Sequence, residues 1–120
     1  MLQLENLSLI EMALEYFRIR GFECQAPAIL RGISGKSYRF DIVLRGKDGK
    51  RRVVWVKDWN RYVGINVIIA LDVASEDVRI PNPVMVGRGF SDNVRTYSRR
   101  RGISLITDRE ILSSLMGTSL

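Results

Sequence analysis

Apolar positions along the chain change period several times, and each change marks an element. Leu9, Met12, Ala13, Tyr16 and Phe17 recur at three- and four-residue spacing, which predicts a helix with one buried stripe. Ser8 followed by Glu11 forms a capping box that starts it, and Gly21 stands where a left-handed residue closes it. Phe22 to Leu30 reads as a strand, with Pro27 arguing for an edge or a bulge. From Ser37 to Arg45 the period is two, so Tyr38, Phe40, Ile42 and Leu44 are expected on one face and Arg39, Asp41 and Val43 on the other. Lys47-Asp48-Gly49-Lys50 carries an Asp-Gly hairpin signal, and Arg51 to Lys57 returns as a strand rich in Val and Trp.

The second half alternates helix and strand. Val63 to Ala74 is apolar around most of its circumference and predicts a largely buried helix. Asn82 to Gly89 predicts a short strand, Ser91 caps a helix running to Arg101, and Gly102 closes it. Ile103 to Ile106 is a strand, and Thr107 with Glu110 opens a last helix through Met116. The order α-β-β-β-α-β-α-β-α implies an α/β fold with a mixed central sheet flanked by helices. With no repeat and no flexible linker, residues 1–120 read as a single domain.

Composition narrows the chemistry. The chain has no histidine and one cysteine, Cys24, so imidazole catalysis, zinc ligation and an intrachain disulfide are excluded. A bound metal would have to sit among oxygen ligands, which selects magnesium or manganese. Glu5, Glu11 and Glu15 interrupt the start too often for a secretory leader, and Val63–Ala74 is too short to span a bilayer. A cytoplasmic setting without membrane contact is the expectation. Nineteen basic residues against thirteen acidic ones give a net charge of +6, and most of the cations are arginine. The guanidinium fork grips phosphate with two hydrogen bonds, so nucleic acid is the first partner to consider. Lys47, Lys50, Arg51 and Arg52 crowd the hairpin, and Arg95, Arg99, Arg100 and Arg101 crowd the penultimate helix. These are the candidate phosphate contacts.

Asp41 in an apolar strand is costly unless it serves a site or is hydrogen-bonded. Lys57 ends the neighbouring strand, so the hairpin brings an acid and an amine together, the pairing that magnesium-assisted phosphodiester cleavage uses. Glu11 on the first helix, Asp41, Lys57-Asp58-Trp59, Arg61-Tyr62-Val63-Gly64, Phe90-Ser91-Asp92-Asn93 and Tyr97 to Ile106 occur in the order found in the PD-(D/E)xK nuclease superfamily. Across residues 8–116 the chain resembles the Mrr-like restriction endonuclease group of that superfamily. The resemblance implies a restriction-endonuclease-like fold, catalytic roles for Asp41, Lys57 and Glu11, magnesium or manganese on Asp41, and DNA in preference to RNA. One position departs from the pattern. Trp55 stands two residues before Lys57, where the group has its second metal-binding carboxylate. An indole cannot ligate a hard cation, and loss of a charged ligand weakens binding by roughly several kcal/mol.

Trp55 itself reads as core packing, and Glu11 has a complete structural role in its capping box. Three functions follow from the sequence. The first is a nuclease-fold DNA-binding protein with cleavage impaired or absent. The second is a working magnesium-dependent endonuclease whose lost carboxylate is supplied by Glu11, Asp58 or Glu23. The third is an interaction module that forms a homodimer through Val63–Ala74.

Overall fold

The structure is a computed structural model, and it describes residues 6–117. Helix α1 (Leu9–Ile19) starts at Ser8 with both bonds of the capping box. The Glu11 N–H donates to Ser8 Oγ at 3.2 Å and the Ser8 N–H to Glu11 Oε1 at 3.1 Å. Gly21 follows at φ +91°, as the sequence requires. Strands β1 (Glu23–Gln25), β2 (Ala28–Arg31), β3 (Ser37–Phe40), β4 (Ile42–Arg45) and β5 (Arg51–Val56) come next. Helix α2 (Ile65–Asp77), β6 (Val84–Gly87), α3 (Asp92–Arg101), β7 (Ser104–Thr107) and α4 (Asp108–Leu115) complete the order. The expected sequence of elements therefore holds, with two of the expected strands each broken in two.

Five strands form one sheet in the order β1-β4-β5-β6-β7. β4 runs antiparallel to both its neighbours, β1 and β5, whereas β5, β6 and β7 run parallel. One face carries Ile42, Leu44, Val54, Val84 and Val86, covered by Leu9, Ala13 and Phe17 of α1 and Ile111 of α4. The other face carries Val43, Val53 and Met85, covered by Ile68, Leu71 and Ala74 of α2 and Val94 of α3. Pro27 lies in the break between edge strand β1 and β2, where a missing N–H disturbs no ladder.

The second break corrects the sequence reading. Tyr38 and Phe40 do not share a face with Ile42 and Leu44; they pack into the core beneath α2 and α3. The chain shifts register at Asp41, whose own N–H donates to the Val54 carbonyl at 3.0 Å. Beyond it β3 leaves the main sheet and pairs only with β2, forming a two-stranded ribbon.

A carboxylate fastens that ribbon to α2. Asp77 accepts the Ser34 N–H at 3.0 Å, the Ser34 hydroxyl, and the Tyr38 hydroxyl at 2.9 Å. Gly32 lies against it so closely that a Cβ there would fall 2.1 Å from the carboxylate. Hydrogen bonding from the Ser34 side chain, then from its backbone, holds the Asp77 carboxyl below its ordinary value. The ionised acceptor is thus complete above the usual carboxylate range and is lost as pH falls through the lower folded value. Hydrogen exchange at Ile33 and Ser34 should accelerate below about pH 4, while the β5–β6 ladder stays protected. Exchange at Ser34 that does not change with pH in that range would contradict this anchor.

The expected helix at Val63–Ala74 begins and ends slightly later, as α2. Val63 instead makes a parallel bridge to Phe90. No helix among the described residues is long and apolar enough to cross a membrane.

Candidate nucleic-acid interface

β5, β6 and β7 point the same way, so the sheet has two distinct ends. Asp41, Lys57 and the start of α3 lie at the end where β5 finishes. The β4–β5 hairpin and the last turn of α3 lie at the opposite end. Val43 of β4 and Val53 and Trp55 of β5 share one sheet face, and Asp41 and Lys57 lie just outside these strands, next to their ends.

Asp41 is held by donors on both oxygens. Val56 N–H donates to Oδ2 at 2.7 Å, and the Arg39 guanidinium donates to Oδ1 at 2.8 Å. The side chain is only 16% exposed, so these bonds compensate a largely desolvated charge. Trp55 occupies the position of the expected second carboxylate and does the opposite of ligation. Its Nε1–H donates to the Arg39 carbonyl at 3.1 Å, and its ring lies 6.3 Å from that of Phe40.

Lys57 forms no ion pair with Asp41; among the described residues it makes none. Its ammonium instead sits 4.9 Å from the Trp55 ring centroid and 5.4 Å from that of Trp59. The Arg61 guanidinium lies 4.6 Å from the Trp59 centroid. Residues 55, 57, 59 and 61 therefore build an alternating stack of ring, cation, ring and cation. Sequence reasoning missed Arg39 and Arg61 as members of this edge. The i, i+2 alternation of aromatic and basic residues running on past β5 was the available signal.

The other expected residues disperse. Glu11 is on α1, which covers the opposite face of the sheet, and both partners of its capping box are in place. Hydrogen bonding from the Ser8 backbone, then its side chain, lowers the Glu11 pKa, which suits an ionised cap. Of the other carboxylates that might have replaced the missing one, Asp58 pairs with Arg88 at 2.6 Å. Glu23 is level with Arg45, beside the hairpin. Arg88 also reaches Asp108 at 3.2 Å.

The hairpin cations do not flank Asp41. Arg51 precedes Lys57 by six residues of extended chain, about 20 Å at the usual rise. Lys47, Lys50, Arg51 and Arg52 therefore belong to the far end. Arg52 is a tie across the sheet, donating from Nε to the Asn82 carbonyl and from Nη2 to Ser104 Oγ, both at 2.7 Å. On α3 the basic group divides. Arg95 lies in the first helical turns, 5.9 Å from the Phe90 ring centroid, on the Lys57 side. Arg99, Arg100 and Arg101 fill the last turn at the far end, and Arg101 is spent on Asp72 at 2.8 Å and on Glu76.

The donor set does not fit a divalent metal. Both Asp41 oxygens already accept N–H bonds, a cation adjoins one of them, and Trp55 turns a donor toward the neighbouring backbone. Among the described residues no three acidic or cysteine side chains converge as a metal site would need.

No protein-family model matches the sequence, and no curated protein matches it. Solved structures do. A protein of unknown function superposes with a TM-score of 0.80 at 22% identity, covering 94% of this chain and 71% of that one. A repair endonuclease from Pyrococcus abyssi gives 0.61 at 17% identity, over 85% of this chain and 47% of that one. An EndoMS–dsDNA complex gives 0.58 at 18% identity, over 89% and 48%. The chain thus spans under half the length of the last two. The five-stranded mixed sheet with helices on both faces is the restriction-endonuclease-like fold.

Proposed function

We propose that this chain is a nuclease-fold domain that binds DNA by its phosphates, with phosphodiester cleavage impaired or absent. The observation that carries the reading is the state of Asp41. Where a working centre presents a carboxylate to a metal, each oxygen of this one already accepts a hydrogen bond, from the Val56 amide or the Arg39 guanidinium, and Trp55 fills the second ligand's position. Kinship with the Mrr-like group of the PD-(D/E)xK superfamily, with Asp41 and Lys57 as its inherited pair, belongs to this proposal. So does the view that residues 1–120 act as one domain. Magnesium or manganese plays no part in it, because the acidic oxygens are committed.

Loss of a metal site leaves a basic edge. Lys57, Arg61 and Arg95 lie there without ion pairs among the described residues, and the Trp59 ring orients two of these charges. Phosphate oxygens would replace water around them at little cost in side-chain order, because the rings already restrict the cations. Lys47, Arg99 and Arg100 would extend the contacts of a longer duplex. Double-stranded DNA is favoured over RNA because a chain of the same fold forms an EndoMS–dsDNA complex. Binding through such contacts releases counterions, so affinity for a duplex should fall steeply between roughly 50 and 200 mM salt. A gel-shift series shows this directly; no shift even at low salt would overturn the reading.

A second reading, self-association through α2, draws on Ile69 and Val73, which remain 39% and 55% exposed on that helix. The residues Val63, Ile68, Leu71 and Ala74 are consumed within the protomer, which leaves a narrower stripe than the sequence suggested. Sedimentation of the full chain distinguishes the two, since phosphate binding at the Lys57 edge requires no second copy.

A further inference from the structure

The hairpin end of the sheet holds a cavity that the DNA-binding edge does not use. It measures about 530 Å³, within the range of small-ligand sites. Lys50 of the hairpin, Arg51 and Arg52 of β5, and Arg79 from the loop after α2 line it. Phe22 and Pro81 supply flat apolar wall. The single carboxylate in the lining, Asp48, accepts the Lys50 backbone N–H at 3.0 Å.

Charge here is uncompensated. Among the described residues none of these four cations makes an ion pair. Arg52 is the most demanding, since it is partly buried yet meets only the Asn82 carbonyl and the Ser104 hydroxyl. Burial lowers its pKa, the mark of a desolvated cation lacking a counter-charge. The loop that delivers Arg79 is also unusual. Arg79 and Asn82 take φ of +60° and +59°, a region that non-glycine residues enter at a cost, and they bracket Ile80 and Pro81. Two segments distant in sequence thus bring four cationic residues to the lining of one space, and Phe22 from a third supplies its aromatic wall.

We propose that this cavity binds a phosphate monoester carried on a flat ring, that is, a nucleotide. Two sources share that chemistry: a free nucleotide, and the phosphorylated 5′ terminus of a DNA strand. The phosphate meets Arg51, Arg79 and Lys50 and neutralises the field around Arg52, while the base lies along Phe22 and Pro81. This site stands about 20 Å along β5 from Lys57, so it can fail or hold independently of the DNA-binding edge.

Calorimetric titration of the full chain tests it with four probes: dAMP, deoxyadenosine, and one short single-stranded oligonucleotide with either a 5′-phosphate or a 5′-hydroxyl. Binding of dAMP at least tenfold tighter than deoxyadenosine supports the proposal with a free nucleotide as source. Preference for the 5′-phosphorylated oligonucleotide without dAMP binding supports it with the strand end as source. In either case Arg79→Ala and Arg51→Ala each weaken the phosphate-dependent interaction at least tenfold at unchanged melting temperature. Deoxyadenosine binding as tightly as dAMP, absence of any phosphate-dependent binding, or indifference to both arginine substitutions overturns it.

Discussion

Removing Lys57 and Arg61 together should weaken duplex DNA binding on the order of a hundredfold at low salt, while the chain stays folded. Each cation that meets a phosphate contributes a charge-assisted bond of roughly 1.4 kcal/mol or more, and two such losses multiply in affinity. The salt dependence should become shallower by about two counterions in the same variant. The stability cost is confined to three cation–π contacts with Trp55 and Trp59, worth about 0.5–1 kcal/mol each at partly exposed sites, and no core side chain is lost. Anisotropy titrations across a salt series give both numbers. Wild-type affinity and slope in the double variant would remove the alternating stack from the DNA-binding surface.

Phe40→Ala should cost about 3–5 kcal/mol, the largest single effect on stability. This side chain is fully buried at the joint where β3 leaves the sheet. Tyr38 and Trp55 lie on either side of it with ring centroids 6.3 Å away, and Ala28 is its partner across the ribbon. Truncation opens a cavity between three layers that the fixed backbone of the joint cannot close. For a chain of this length the melting temperature should drop by roughly 10–25 °C. The site suffers with the core, since Trp55 bonds the Arg39 carbonyl and Arg39 in turn bonds Asp41. A loss below about 1 kcal/mol would show that the joint repacks and does not hold the edge in place.

Much of the fold was legible because its signals are local. Ser8 and Glu11 specify one helix start through two hydrogen bonds between neighbours. At Thr107 half of the same device appears: its hydroxyl accepts the Glu110 N–H at 3.1 Å. Gly102, at φ +71°, closes α3 where the sequence placed the stop. The break at Asp41 was not legible, because an alternating pattern counts residues and assumes that every one advances the strand. A side chain that bonds the next strand's amide changes that count without changing the pattern.

The candidate site was half readable for a related reason. Sequence placed Asp41, Trp55 and Lys57 near one another, which depends only on strand pairing across a short hairpin. It grouped the cations by proximity along the chain, yet a hairpin tip and the far end of its strand are separated by the strand's whole length. Lys47 to Arg52 therefore lie at the opposite end of the sheet from Asp41. Arg39 was the residue whose role could least be foreseen. Its guanidinium beside Asp41 supplies positive charge of the kind a metal would bring, an ion pair that residue spacing alone does not announce.

The central claim is that this nuclease-like edge holds DNA without a metal. Binding of a fluorescent duplex by the wild-type chain, measured in EDTA and again in magnesium with the strands then run on a denaturing gel, tests it most directly. Affinity no higher in magnesium than in EDTA, together with intact strands, is the predicted result. Strand cleavage that requires magnesium and disappears in Asp41→Ala would contradict it.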